Sequence, residues 1–178
     1  SANISTRPSP TTADDVLHDM NGRIAAVIDG GPCQIGLEST VVGIEGGEIV
    51  IYRPGGTTKE ALSAIAPTTV DSALAKDGAH PKAPGMKYRH YAPSAPLTVY
   101  TGEAGKVAEE ILSFTEKTDK KYGFFVSEET ARLLPKGLPV FVWGHREDKE
   151  SFAHNLFSGL LYFNLHPVDA IIGDGTDT

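Results

Sequence analysis

The chain has 178 residues, 40% of them hydrophobic and 22% charged, a globular composition that excludes a disordered chain. Sixteen Lys plus Arg against 23 Asp plus Glu leave a net charge of -7, which sets aside a protein whose main work is gripping a phosphate backbone nonspecifically. No apolar run nears the roughly 18 residues of a membrane span, no basic-then-apolar signal pattern opens the sequence, and the lone Cys33 excludes an internal disulfide and a cysteine-only zinc cluster. The expectation is a soluble, cytoplasmic α/β protein with no membrane partner.

Prolines and glycines punctuate the chain. The opening residues form a polar loop stiffened by Pro8 and Pro10. Thr11 reads as a helix N-cap with Asp14 as its capping-box acid, and Val16, Leu17 and Met20 as the apolar face. Asn21-Gly22 ends that helix, and Ile24 to Ile28 is predicted to be a buried strand. Thr40 to Ile44 and Glu48 to Tyr52 alternate around Glu45-Gly46-Gly47, a hairpin signature. Arg53-Pro54-Gly55-Gly56-Thr57-Thr58 then leads from a strand into a helix starting at Lys59. From Ala73 to Pro96 the apolar period is lost, and Pro81, Pro84, Pro93 and Pro96 predict an extended linker.

After the linker, strands at Leu97 to Tyr100, Tyr122 to Val126, Val140 to Trp143 and Val168 to Ile172 alternate with helices at Lys106 to Phe114, Glu128 to Leu134 and Lys149 to Leu165. That alternation predicts a parallel, three-layer sheet. Both ends read as unfinished, so a piece of a longer parent is expected.

Three stretches carry candidate chemistry. Ser1, Asn3, Ser5, Arg7, Ser9 and Thr11 crowd a loop running into a helix N-terminus, which suits a small anion or nucleotide, or simply a capped surface loop. Arg53 at a strand end, followed by Gly55-Gly56 and a helix start, can offer a guanidinium fork and backbone donors to a phosphate. The alternative is a plain strand-turn-helix corner; no Walker loop is present. Hairpin pairing would turn Ser39 toward Arg53.

The linker core Met86-Lys87-Tyr88-Arg89-His90-Tyr91-Ala92-Pro93 has bases and tyrosines suited to stacking on nucleobases and pairing with phosphates, or to docking on a neighbouring domain. His90 has no second metal ligand at a known spacing and reads as a hydrogen-bonding residue. His145, His154 and His166 read as helix or loop residues, Asp174 and Asp177 as turn residues, and Asp14-Asp15 as compensation of a helix dipole. Cys33 has no nearby His to make it a catalytic thiol, and no Gly-x-Gly-x-x-Gly follows a strand.

Four long motifs occur in a telling order: Ser1-Ala2-Asn3-Ile4-Ser5-Thr6-Arg7-Pro8-Ser9-Pro10-Thr11, Gly36-Leu37-Glu38-Ser39-Thr40-Val41-Val42, Ile51-Tyr52-Arg53-Pro54-Gly55-Gly56, and Pro84-Gly85-Met86-Lys87-Tyr88-Arg89-His90-Tyr91-Ala92-Pro93. Together they resemble the two-domain threonylcarbamoyl-AMP synthase family of the YrdC/TsaC type, over the whole chain. The resemblance implies that residues 1–75 are the C-terminal half of a YrdC-like twisted-sheet α/β domain, 76–95 a linker, and 96–178 a small Rossmann-like, three-layer parallel α/β domain.

It also implies a nucleotidyltransferase that makes threonylcarbamoyl-AMP and pyrophosphate from ATP, L-threonine and bicarbonate, for threonylcarbamoyladenosine at tRNA position 37. Carried over by motif, Ser1 and Ser39 hold L-threonine; Asn3, Thr11 and Arg53 hold ATP; Tyr91 closes over the nucleotide, supported by Arg89 and His90. No protein nucleophile is implied, and Mg²⁺ is expected on the ATP phosphates rather than on protein ligands. Downstream tRNA threonylcarbamoyl-transfer machinery is the implied partner. Thr6 stands where the family usually has glycine, and the family's first half has no counterpart here, so this chain alone is expected to be inactive. The competing reading is a nonenzymatic RNA-binding module, which the acidic balance opposes.

Overall fold

The computed structural model describes residues 2–75 and 92–175. The chain divides into two compact units: Ser1–Gly36 with Tyr91–Thr178, and Leu37–His90.

The opening segment holds α1 (Ala13–Met20), and its start corrects the predicted cap by one residue. The N-cap is Thr12, whose hydroxyl accepts from the Asp15 N–H while the Asp15 carboxylate reaches back to the Thr12 N–H. Thr11-Thr12-Ala13-Asp14-Asp15 satisfies the capping-box spacing in two frames one residue apart. The frame is settled by Thr11, whose hydroxyl is engaged by Asp15 and by Ser158. The face is corrected in part: Val16 and Met20 are half-buried, but Leu17 is 46% exposed and the fully buried residue of the helix is Asp19. Asn21 and the left-handed Gly22 end α1 as predicted.

The predicted strand at 24–28 does not form, and Ile28 is 96% exposed. Its apolar residues suit a strand, but among the described residues no backbone hydrogen bond joins this stretch to a neighbour, and an extended segment without a ladder gains nothing from its pleat.

In the smaller unit, β1 (Val41–Glu45) and β2 (Glu48–Arg53) pair antiparallel, with Glu45 opposite Glu48 across Gly46-Gly47. Both glycines have positive φ, the backbone a two-residue hairpin of matching twist needs. α2 (Lys59–Ser63), capped by the Thr58 hydroxyl, returns the chain to β3 (Thr68–Val70), which lies parallel to β2.

The larger unit continues through β4 (Leu97–Thr101), α3 (Ala104–Thr115), β5 (Tyr122–Val126), α4 (Glu128–Ala131), β6 (Val140–Val142), α5 (Lys149–Leu165) and β7 (Ala170–Gly175). Its four strands are all parallel, in the order β4-β7-β5-β6. On one face Val107 and Ile111 of α3 and Leu134 beyond α4 pack on Tyr122, Phe124, Val126 and Ile172. On the other, Phe163 of α5 packs with Ala95, Phe125, Trp143 and Ile171. The expected three-layer α/β arrangement is therefore present, and all five residues of β5 are buried, as a strand covered on both faces must be. No helix among the described residues is long and apolar enough to cross a membrane.

Asp174 is not a turn residue. It lies within β7 and is fully buried. Its Oδ1 accepts from the Ser127 N–H at 2.7 Å and the Trp143 indole at 2.9 Å; its Oδ2 accepts from the Ser127 and Thr130 hydroxyls and from Arg146 Nη1 at 2.8 Å. Arg146 also donates to the carbonyls of Gly102 and Gly175. Asp174→Ala leaves the buried Trp143 indole N–H and Ser127 N–H without their acceptor and takes the carboxylate from the half-buried Arg146; it is expected to destabilise the chain by about 3 to 5 kcal/mol, read as a lowered urea midpoint.

Candidate functional site

The opening loop is a closed hydrogen-bonded turn. Arg7 N donates to the Ile4 carbonyl at 3.2 Å, and the Asn3 amide Nδ2 bridges the Ile4 and Arg7 carbonyls at 3.0 Å each. Both hydrogens of that amide are thereby used, and what Asn3 retains for a ligand is its oxygen. Between them Thr6 sits at φ +77°, a left-handed conformation uncommon for a β-branched residue and natural to glycine.

Asp19 of α1 anchors this turn. Its carboxylate accepts from the Ile4 N–H at 2.9 Å, from Arg7 Nη1 at 3.1 Å and from the His18 ring at 3.1 Å. Burial by itself raises the Asp19 pKa, but the Ile4, His18 and Arg7 partners outweigh it and hold the carboxyl below its ordinary range. Thr11 lies deeper: it is 5% exposed, with its hydroxyl 2.9 Å from Ser158 of α5 and 3.1 Å from Asp15.

The smaller unit holds the second cluster. Arg53, the last residue of β2, donates through Nε and Nη2 to the Ser39 carbonyl at 3.2 and 2.9 Å, and through Nη2 to the Ser39 hydroxyl at 3.2 Å. Glu38 pairs with the same guanidinium at 3.2 Å. The expectation that hairpin pairing turns Ser39 toward Arg53 is met.

The following loop is fastened to the same residues. Gly56 N donates to the Glu38 carbonyl, while the Thr40 hydroxyl donates to the Thr57 carbonyl and accepts from its N–H. Gly55 permits this by close approach, since a Cβ there would lie 2.3 Å from the Glu38 carbonyl oxygen and 2.4 Å from Thr40 N. The Arg53 guanidinium is thus held in plane by Nε and Nη2 on one carbonyl, with the Glu38 carboxylate beside it.

Of the predicted site residues, Asn3 and Thr11 belong to the larger unit, and Ser39 and Arg53 to the smaller. Ser1, Arg89, His90 and Tyr91 lie outside the described residues. Sequence reasoning missed Asp19 and the pairing of Glu38. The signal for Glu38 was present in the hairpin, whose strand ends bring residues 38–40 beside Arg53. Nothing in the local sequence marks Asp19, because a helical aspartate ordinarily faces water.

These features define a mixed α/β protein with arginine, hydroxyl and backbone groups held by hydrogen bonds at loop–helix junctions. The model described as "Threonylcarbamoyl-AMP synthase, C-terminal domain" matches residues 57–178, and the one described as "Telomere recombination" matches residues 1–55. The chain is 41% identical to the threonylcarbamoyl-AMP synthase of Bacillus subtilis over 175 residues, 98% of this chain and 50% of that protein. It is 38% identical to that of Pyrococcus abyssi, covering 99% of this chain and 52% of that protein.

A crystal structure of P. abyssi Sua5 complexed with L-threonine superposes with a TM-score of 0.74 at 37% identity, over 99% of this chain and 52% of that one. The chain belongs to the threonylcarbamoyl-AMP synthase family, and it spans about half the length of the curated relatives it matches.

Gly55→Ala must push the backbone at residues 38–40 away from the loop. It is expected to destabilise the smaller unit by about 1 to 3 kcal/mol and to speed exchange of the Gly56 N–H. Gly30→Ala, with open space around its Cβ, serves as the control and should leave both unchanged.

Proposed function

We propose that this chain is part of an L-threonylcarbamoyladenylate synthase, a nucleotidyltransferase that uses L-threonine, bicarbonate and ATP. The observation that carries the reading is the alignment of nearly the whole chain, at 37% identity, with half of a protein solved with L-threonine bound. The domain organisation that goes with it is residues 1–75 as the C-terminal part of a YrdC-like synthase domain, 76–95 as a linker and 96–178 as the Rossmann-like domain.

The reaction needs orientation more than a protein nucleophile. Threonine's amine and bicarbonate give a carbamate with loss of water. A carbamate oxygen then attacks the α-phosphate of ATP, and pyrophosphate leaves with the electrons of the broken phosphoanhydride bond. Bringing two anions together is the main barrier, so fixed cationic and N–H donors supply most of the catalysis.

Arg53 takes the phosphates, with its guanidinium plane already set by Ser39. Ser39 and Ser1 hold L-threonine. Asn3 presents its amide oxygen to ATP, a suitable acceptor for a nucleotide donor group. Thr11 joins the ATP set by exchanging its bonds to Asp15 and Ser158 for bonds to the ligand. Tyr91, supported by Arg89 and His90, closes over the nucleotide. Mg²⁺ arrives with ATP on its phosphates, as part of the substrate. The product passes to the tRNA threonylcarbamoyl-transfer machinery, in the cytoplasm.

The test is pyrophosphate release by the synthase that carries this sequence, with and without threonine and bicarbonate. Release that requires both supports the reading; release without threonine points to another acceptor, and no release favours RNA binding without catalysis. Arg53→Ala is expected to weaken ATP binding by about 1.5 to 3 kcal/mol, the scale of a charge-assisted hydrogen bond. Unchanged affinity by calorimetry would remove Arg53 from the phosphate site.

A further inference from the structure

We infer that Asp19 is a positioning residue, which sets the Asn3 turn and, through the Thr6 carbonyl, the place where the chain continues at Ala92. The inference rests on the proposed role of Asn3 as a ligand of ATP, and on a geometry in which two residues do double duty. Ile4 gives its N–H to Asp19 and its carbonyl to Asn3 Nδ2. Arg7 gives its guanidinium to Asp19 and its carbonyl to the same amide. Asp19 thus grips the outside of a turn whose inside is braced by Asn3.

Thr6 lies between the two gripped residues at φ +77°, and its carbonyl accepts the Ala92 N–H at 3.2 Å. One carboxylate therefore holds both the segment that presents Asn3 and the backbone contact made by the residue after Tyr91.

Burying this carboxylate costs desolvation that an apolar residue would avoid, and its side chain is only 3% exposed. What the charge adds is direction. It accepts three donors from fixed positions, so the turn is ordered before any ligand arrives, and the ligand does not have to order it. A leucine at this position could bury the helix face, yet it would leave the Ile4 N–H unpaired and Arg7 untethered.

Asp19→Asn and Asp19→Ala test this in two arms. By amide hydrogen exchange on this chain, Asp19→Ala should accelerate Ile4 and Ala92 about tenfold or more, and Asp19→Asn less, while core amides such as Phe124 and Ile171 stay unchanged. Acceleration at Ile4 but not at Ala92 breaks the proposed coupling. Equal acceleration at the core amides makes Asp19 only a stabiliser of the fold; either result overturns the inference.

In the synthase assayed for pyrophosphate release, Asp19→Ala should raise the KM for ATP about tenfold with a smaller change in kcat, and Asp19→Asn, which keeps an acceptor for Ile4, should recover part of the loss. An unchanged KM overturns the positioning role. If the wild-type synthase shows no threonine-dependent release, the functional reading fails by itself, and the exchange arm still decides the coupling of the turn to Ala92.

Discussion

The larger unit depends on one buried carboxylate. Parallel strands all end at the same edge of their sheet, where the following helices begin and backbone N–H groups accumulate without partners. Asp174 collects donors there from the residues after β5 and β6, Ser127 and Trp143, and from Arg146. Arg146 in turn ties down Gly102 after β4 and Gly175 at the end of β7. The carboxyl ends of all four strands meet in this network. Open parallel sheets of this kind commonly bind ligands at that crevice; here the Arg146–Asp174 pair is built into that edge.

The opening segment repeats the device on a smaller scale. Asp19, like Asp174, accepts one backbone N–H and one guanidinium, and sits where a charge is costly unless every lone pair is answered. Further contacts then attach the segment to α5: Thr11 to Ser158, and the Gly36 carbonyl to the Phe157 N–H. Gly36 is demanded by contact rather than by conformation, since a Cβ there would fall 1.8 Å from the His154 carbonyl oxygen. Residues before Gly36 consequently group with the C-terminal sheet rather than with the hairpin that follows them in sequence.

The smaller unit is organised by local geometry. A Gly-Gly turn fixes the register of β1 on β2 as far as Val42 opposite Ile51, a bulge there shifts the last pair to Val41 opposite Arg53, and Arg53 fastens the residues before β1. Because each step follows from the one before over a few residues, this half of the candidate site was open to sequence reasoning. The same kind of reasoning read the strand–helix alternation beyond Leu97 correctly, with α5 at Lys149–Leu165 as expected. A short continuous apolar run such as Tyr122–Val126, which burial on both sheet faces enforces, and a 3.6 period on the covering helices are local signals.

By itself the sequence determined the α/β class, the hairpin, the parallel sheet, the family motifs and the meeting of Ser39 with Arg53. The tertiary structure alone decided that Thr12 caps α1, because two frames were equal until Ser158 occupied Thr11. It alone showed that 24–28 is not a strand, because ladder formation depends on a partner and not on the segment's own composition. It also made buried hubs of Asp19, which sequence reasoning passed over, and of Asp174, which reads as a turn residue. A carboxylate's burial is set by donors that converge from distant positions, from 4 and 7 onto 19 and from 127, 143 and 146 onto 174, and no local period records that convergence.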